Sequence, residues 1–388
     1  MSRRLAGASA ALFAALFAAG MCASRGEPSR RPRYGGTLRV EIGAVVDSLD
    51  PGQPSANAED AAAKERIEMQ LYERRNADGT FAGTAGSGPF RIAEWEPGKH
   101  LVLAANENYA GGRPFVDSVE IQMGRAAQAQ LLDLELGKAD LVEIPPEEAR
   151  RAAEHGVRVS TSQPDELLAA VFVAGRPAAE DARVREAFAR SLDRVAMANF
   201  ILQKQGDAAG GLLPQWSSGT AFLFSTAADV SGAKELAAQI GGSAQIVLGY
   251  DFRDSLEQSL AERIAVDARA AGLRLTVQEL PKGSAAQPAC DARIVRLRMP
   301  SPHPRAALAS FIATLSPMAG LDAAAPGEGA SPQEIYDRER AIVSSHRVVP
   351  LVWLPQAYGI GARVRDWKAP SAGEGWPLAD VWLEQETP

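Results

Sequence analysis

The most distinctive local charge feature of this sequence is the expected loop around Arg296, Arg298, His303 and Arg305. A guanidinium group presents a planar fork of donors that matches a carboxylate or phosphate, so such a set suits an anionic ligand. The plainer reading is that these side chains are solvated or pair with surface acids, because most surface arginines do nothing specific. Arg176 is a further candidate for ligand contact. Phe172, Trp216, Tyr250 and Trp353 stand near expected strand ends or loops, where a ring can stack on a ligand, although core packing is the commoner role. Ser48, just ahead of Leu49-Asp50-Pro51, offers its hydroxyl either to a ligand or to its own turn.

Other chemistry is sparse. The histidines are His100, His155, His303 and His346, and none has another His or Cys at a ligand spacing, so neither a metal site nor a cofactor is expected. Cys22 and Cys290 are the two cysteines, which allows no disulfide framework, and Cys290 reads as a small buried thiol. There is no Gly-x-Ser-x-Gly elbow, no phosphate-cradling Gly-x4-Gly-Lys and no His-Glu-x-x-His, so no residue is nominated as catalytic and an enzyme is not expected.

The 388 residues are long enough for two ordinary domains or one large bilobal one, and 46% hydrophobic with 23% charged residues is a globular composition. Lys and Arg total 41 against 48 Asp and Glu, a net charge of −7, which argues against a nucleic-acid partner. Arg3 and Arg4 precede an uncharged Ala-, Leu- and Phe-rich run from Leu5 to Met21, the layout of an export signal over residues 1–24. Cys22 is an alternative lipid-anchor site, disfavoured by the large Met21 before it.

These residues need a scaffold, and the hydrophobic pattern supplies one. Leu38, Val40 and Ile42 alternate as a half-buried strand requires, and Ala58 to Arg75 reads as a helix. Glu96-Pro97-Gly98-Lys99 is a hairpin turn, Val116 to Met123 alternates again, and Ala126 to Leu136 is helical with Gly137 as a left-handed cap. Pro145-Pro146-Glu147-Glu148 starts another helix. Leu167 to Val173 and Val348 to Leu354 are nearly continuous apolar strands, so buried on both faces. Asp181 caps a helix carrying Val184, Phe188 and Leu192, and Ser331-Pro332-Gln333-Glu334 is a capping box for a helix reaching His346. Gln245 to Tyr250, a helix opened by a Ser255–Gln258 capping box, and Leu273 to Val277 form a βαβ unit with parallel strands.

Four ordered segments carry a family resemblance. Gly35-Gly36-Thr37-Leu38-Arg39-Val40 with Ser48-Leu49-Asp50-Pro51 is the first, and Gly86-Ser87-Gly88-Pro89-Phe90-Arg91-Ile92 with Asn106-Glu107-Asn108-Tyr109 the second. Asp181 to Phe188 with Ser191-Leu192-Asp193-Arg194 is the third, and Val349-Pro350-Leu351-Val352 through Val364-Arg365-Asp366-Trp367 the fourth. Together they resemble the solute-binding proteins of ABC importers, in the dipeptide, oligopeptide and nickel class (family 5).

The resemblance implies a bilobal α/β fold of the type II periplasmic-binding-protein kind, with two mixed-sheet lobes joined by a two-strand hinge. Lobe I is expected over 33–164 plus 350–388 and lobe II over 165–349, with crossings near Ser162–Leu168 and His346–Leu351. The implied function is capture of a small peptide-like or anionic ligand between the lobes and delivery to ABC permease subunits, by a periplasmic monomer with no nucleic-acid partner. A non-transport interaction or sensory module on the same scaffold is the alternative, and an exported hydrolase a third. The family's extra lobe is replaced here by the short linker 74–85. Its usual Asn after the hinge strand is Ala174, the Asp-Pro pair that holds a peptide's amino group falls on His303-Pro304, and the aromatic upstream falls on Leu297.

Overall fold

A computed structural model describes residues 31–50, 52–53, 55, 58–72, 74–75, 81–82, 86–240, 245–281, 290–321 and 324–384. The export-signal expectation over residues 1–24 and the Cys22 anchor lie outside the described residues.

Alternating Leu38 and Val40 place β1 (Thr37–Glu41) at the middle of a seven-stranded sheet. Its order is β2 (Phe90–Glu96), β3 (His100–Ala105), β4 (Ser118–Gln122), β1, β5 (Leu141–Ile144), β13 (Ala357–Ile360) and β6 (Arg158–Thr161). β1 is parallel to β4 and β5, and the other pairs are antiparallel. Ile67 and Leu71 of α1 (Ala58–Leu71) pack with Leu38, Phe90 and Trp376 in its main core. α2 (Ala127–Glu135) and α3 (Pro146–Glu154) contribute Leu134, Ala149 and Ala152 to a smaller cluster with Val142 and Ile144.

The second sheet has six strands, ordered β8 (Asp207–Ala208), β12 (Val348–Leu354), β7 (Glu166–Phe172), β11 (Ala292–Arg298), β9 (Gln245–Asp251) and β10 (Arg274–Leu280). β7 lies between two antiparallel neighbours and its side chains divide by parity. Leu168, Ala170 and Phe172 face a core shared with α4 (Ala182–Ser191), α5 (Val230–Ile240) and α6 (Ser255–Ala270). Leu167, Ala169 and Val171 face the core of α7 (Pro304–Ala319) and α8 (Pro332–Ser344). That two-sided burial is why β7 and β12 read as apolar runs. β9 and β10 pair in parallel around α6, as the βαβ pattern requires.

Local signals held where the chemistry is local. Gly137 has φ +68°, Gly98 turns the β2–β3 hairpin at φ +72°, and Asp181 accepts the Arg183 N–H at 2.9 Å. Ser331 and Glu334 form both halves of their capping box.

Other boundaries moved. α1 ends at Leu71 rather than Arg75, because the returning chain caps it: the N–H groups of Gly86 and Gly88 donate to the Leu71 carbonyl at 2.7 and 3.0 Å. The chain between therefore leaves and re-enters at one point, where the resemblance places an extra lobe. A side chain at Gly88 would come within 2.6 Å of the Gln70 and Tyr72 carbonyl oxygens, so the return demands glycine. The cap of α6 is Asp254, not Ser255, because its carboxylate accepts both the Leu256 and Glu257 N–H groups at 3.0 and 2.9 Å. Arg296 and Arg298 lie on β11 and Arg305 in the first turn of α7, so they do not share a loop. The second crossing is at Pro355-Gln356, not His346–Leu351, because β12 stays paired with β7 through Leu354.

Candidate functional site

Among the described residues the chain passes between its sheets twice, at 162–165 and at 355–356, and the two passages are bonded to each other. Ser162 N–H donates to the Gln356 carbonyl at 2.9 Å, Gln356 N–H to the Ser162 hydroxyl at 2.9 Å, and Asp165 N–H to the Leu354 carbonyl at 3.0 Å. The Gln356 side-chain amide donates to Asp165 Oδ2, while Gln356 Oε1 accepts from Arg66 Nη2 at 2.5 Å and from the Tyr358 hydroxyl at 2.7 Å. Arg66, on α1, also reaches Glu143 of β5 at 2.7 Å and lies 5.6 Å from the centre of the Trp376 ring. Trp376 Nε1 donates to Tyr358 Oη at 3.3 Å.

On the far side of Asp165 the network enters the second sheet. Arg298 Nε stands 3.8 Å from Asp165 Oδ2. Arg296 is held by three carboxylates: Nε donates to Asp254 at 2.7 Å, with Glu166 at 3.3 Å and Glu257 at 3.7 Å. Burial works against the Arg296 charge, yet Glu166, Asp254 and Glu257 together hold its pKa above the ordinary value. Burial, reinforced by the Asp254 charge, pushes the Glu257 carboxyl up to about 7. Asp165 is 1% exposed, and burial pushes it up to about 6 against the opposing pull of Arg298. Glu147, at the start of α3, is raised chiefly by burial, feels the charge of Arg296, and has one carboxylate oxygen buried without a partner.

Lys64 and Asp60 of α1 hold the loop ahead of that helix. The Lys64 ammonium donates to the Asp50 and Gln53 carbonyls, and Asp60 accepts the Val45 N–H at 2.8 Å. Ser48, in this loop, spends its hydroxyl oxygen on the Asp50 N–H at 3.1 Å.

The sequence-nominated residues scatter around this centre. Arg296 and Arg298 belong to it, but Arg296 is saturated by acids rather than waiting for an anion. Trp216 touches it, donating its indole N–H to the Pro164 carbonyl at 2.8 Å. Phe172 is fully buried and packs edge-to-face on Phe188 with ring centres 5.3 Å apart, so it presents nothing to a ligand. Tyr250 is 5% exposed and its hydroxyl donates to Glu279; Trp353 stacks at a tilt on Phe311. Arg176 reaches Asp291 at 3.4 Å, at the opposite end of β7 and β11 from Asp165 and Arg298. His303 is exposed at the N-cap of α7, where its side chain makes no capping bond, and Arg305 follows in the first turn. Arg66, Glu143, Asp165, Gln356 and Tyr358 were missed, since they converge from separate segments and no spacing announces them.

Two mixed sheets with separate cores, linked by a pair of bonded passages, define the two-sheet α/β architecture of periplasmic binding proteins. Residues 51–319 match the family of bacterial extracellular solute-binding proteins, family 5, and the chain belongs to that family. The oligopeptide-binding protein AppA of Bacillus subtilis is 30% identical over 128 residues, 32% of this chain and 23% of that protein. The probable D,D-dipeptide-binding periplasmic protein DdpA of Escherichia coli is 28% identical over 134 residues, 34% of this chain and 26% of its own. The aligned stretches thus span about a quarter of either relative. Among solved structures, the ABC transporter substrate-binding protein CtaP of Listeria monocytogenes shares the fold with a TM-score of 0.75 at 14% identity, covering 91% of this chain and 100% of that one. DppA of Helicobacter pylori, solved with the peptide STSA, has a TM-score of 0.70 at 13% identity over 91% and 99% of the two chains.

Proposed function

We propose that this protein captures a small, peptide-like solute between its two sheets outside the cytoplasm and delivers it to an ABC permease. The observation that carries the reading is the pair of crossings, bonded through Asp165 and Gln356, with a separately packed sheet on either side. Such a joint lets two rigid halves rotate, and a ligand that contacts both halves only when they close shifts the equilibrium toward the closed form. The named peptide-binding relatives favour a peptide over an anion, as does the saturation of Arg296 by Asp254, Glu166 and Glu257. The described residues contain no helix long and apolar enough to cross a membrane. The protein acts as a monomer exported by its N-terminal signal.

Titration with di- to pentapeptides, amino acids, sugar acids and phosphates tests this, read by tryptophan fluorescence and small-angle scattering. Compaction with a peptide supports the proposal. A folded sample that responds to none of these solutes overturns it.

A further inference from the structure

Asp165 carries the charge in the crossings, and that charge is poorly compensated. Its carboxyl is buried, its Oδ2 has one neutral donor, the Gln356 amide, and its Oδ1 has no hydrogen-bond partner. The charged groups around it come from several elements. Arg298 of β11 is 3.8 Å away, beyond hydrogen-bond reach. Glu166, the next residue along β7, repels it. Arg66 of α1 is attractive but is already bonded to Glu143 and Gln356. Any motion that parts the two crossings breaks the Gln356 bond and lets water reach this carboxyl. The ionised form gains most from that hydration.

We propose that the crossings are a proton-linked latch: Asp165 holds a proton while they are packed together and releases it when they part, so acidity favours the packed form and alkalinity the open one. The proposal rests on the reading that the two sheets move about these crossings. The packed carboxyl titrates at about 6, against its ordinary value of 3.8 when hydrated. The packed state therefore binds the extra proton between those values. Its advantage is complete below the lower value and is lost as pH rises through the upper one. The packed-to-open ratio falls by up to about a hundredfold across that window.

Two indoles flank the latch and report on it from opposite sides. Trp216 donates to the Pro164 carbonyl, and Trp376 donates to Tyr358, which in turn bonds Gln356. Uniform 5-fluorotryptophan labelling of the full chain, with each resonance assigned by Trp→Phe replacement, allows fluorine NMR of both between pH 4.5 and 8. Small-angle scattering across the same range reads the overall dimension. The expected result is one transition shared by both indoles near pH 6, accompanied by expansion as pH rises and absent in Asp165→Asn. Other buried acids predict something different: Glu339 accepts the Leu213 N–H beside the Trp216 loop, and Glu257, pushed up to about 7 by burial, stands against Arg296, so a transition from either persists in Asp165→Asn. A shared transition that persists in Asp165→Asn overturns the proposal, as does its absence from the unsubstituted protein. If Asp165→Asn does not fold, Gln356→Leu decides, because losing the donor to the carboxylate raises the midpoint; an unmoved midpoint overturns the latch. Peptide-driven compaction without pH dependence overturns the latch alone, whereas no compaction under either stimulus overturns the hinge reading with it.

Discussion

The side-chain amide of Gln356 donates to the carboxylate of Asp165, and that bond joins the two short passages by which the chain crosses between its sheets. The residues are distant in sequence and lie in different crossings, so the contact exists only if both sheets are built and correctly placed. It is also the point at which the polar groups on the side of the first sheet, Arg66, Glu143 and Tyr358, meet those of the second, Arg296 and Arg298.

Arg66→Met tests the first half of that chain. The guanidinium is buried, and its removal strands Glu143 and one acceptor of Gln356. The expected cost is about 3 kcal/mol, the usual penalty for breaking a buried pair. Urea denaturation with an unchanged slope checks it, and a loss under about 1 kcal/mol contradicts the network.

Arg296→Met tests the second half. Glu166, Asp254 and Glu257 lose their shared cation while remaining within about a side chain's reach of each other. Destabilisation of about 3–5 kcal/mol is expected at pH 8. The loss shrinks on acidification, because protonated carboxyls need no counter-ion. Melting curves at pH 5 and pH 8 show whether the deficit is larger at the higher pH.

Glu339 supplies a pH dependence away from the crossings. It is fully buried on α8, and its Oε1 accepts the Leu212 and Leu213 N–H groups at 2.6 and 2.9 Å while Oε2 has no partner. Burial raises its carboxyl from 4.5 to about 7. A raised acid pKa stabilises the fold below the unfolded value, and that contribution disappears as pH climbs to the folded one. Stability should therefore fall between pH 4.5 and 7, by at most about 3 kcal/mol from this group. In Glu339→Gln that part of the slope is absent, as denaturant midpoints at several pH values will show.

Phe172→Ala separates packing from binding. The ring is fully buried against Phe188, so deletion should cost about 3–5 kcal/mol in thermal unfolding. Peptide affinity, measured below the transition, should be unchanged. An affinity loss with intact stability would return Phe172 to the ligand site.

Ser331→Ala removes one half of the α8 capping box, leaving the Glu334 N–H without its acceptor. A loss of about 1 kcal/mol is expected. Thermal unfolding will show whether it is that small.

What was legible in the sequence followed from neighbouring residues. The alternation at Leu38 and Val40, the Asp181 cap, the Ser331–Glu334 box and the left-handed Gly137 all act over a few positions, where side-chain periodicity and backbone sterics leave one favourable arrangement. The apolar run at Val348–Leu354 was equally plain, but its sheet was not. Membership depends on pairing with β7 far away, and that pairing moved the second crossing to Pro355-Gln356.

The candidate site divides the same way. The sequence by itself determined that arginines cluster at 296–305 and that strands and helices alternate around them. Only the tertiary structure decided what those arginines face: Arg296 meets three carboxylates from β7 and α6 and their boundary residues, while Arg305 goes to a helix on another part of the fold. A charge's role is set by what lies within a few ångströms of it, and for Arg296, Asp165 and Gln356 those neighbours come from remote segments that folding brings together.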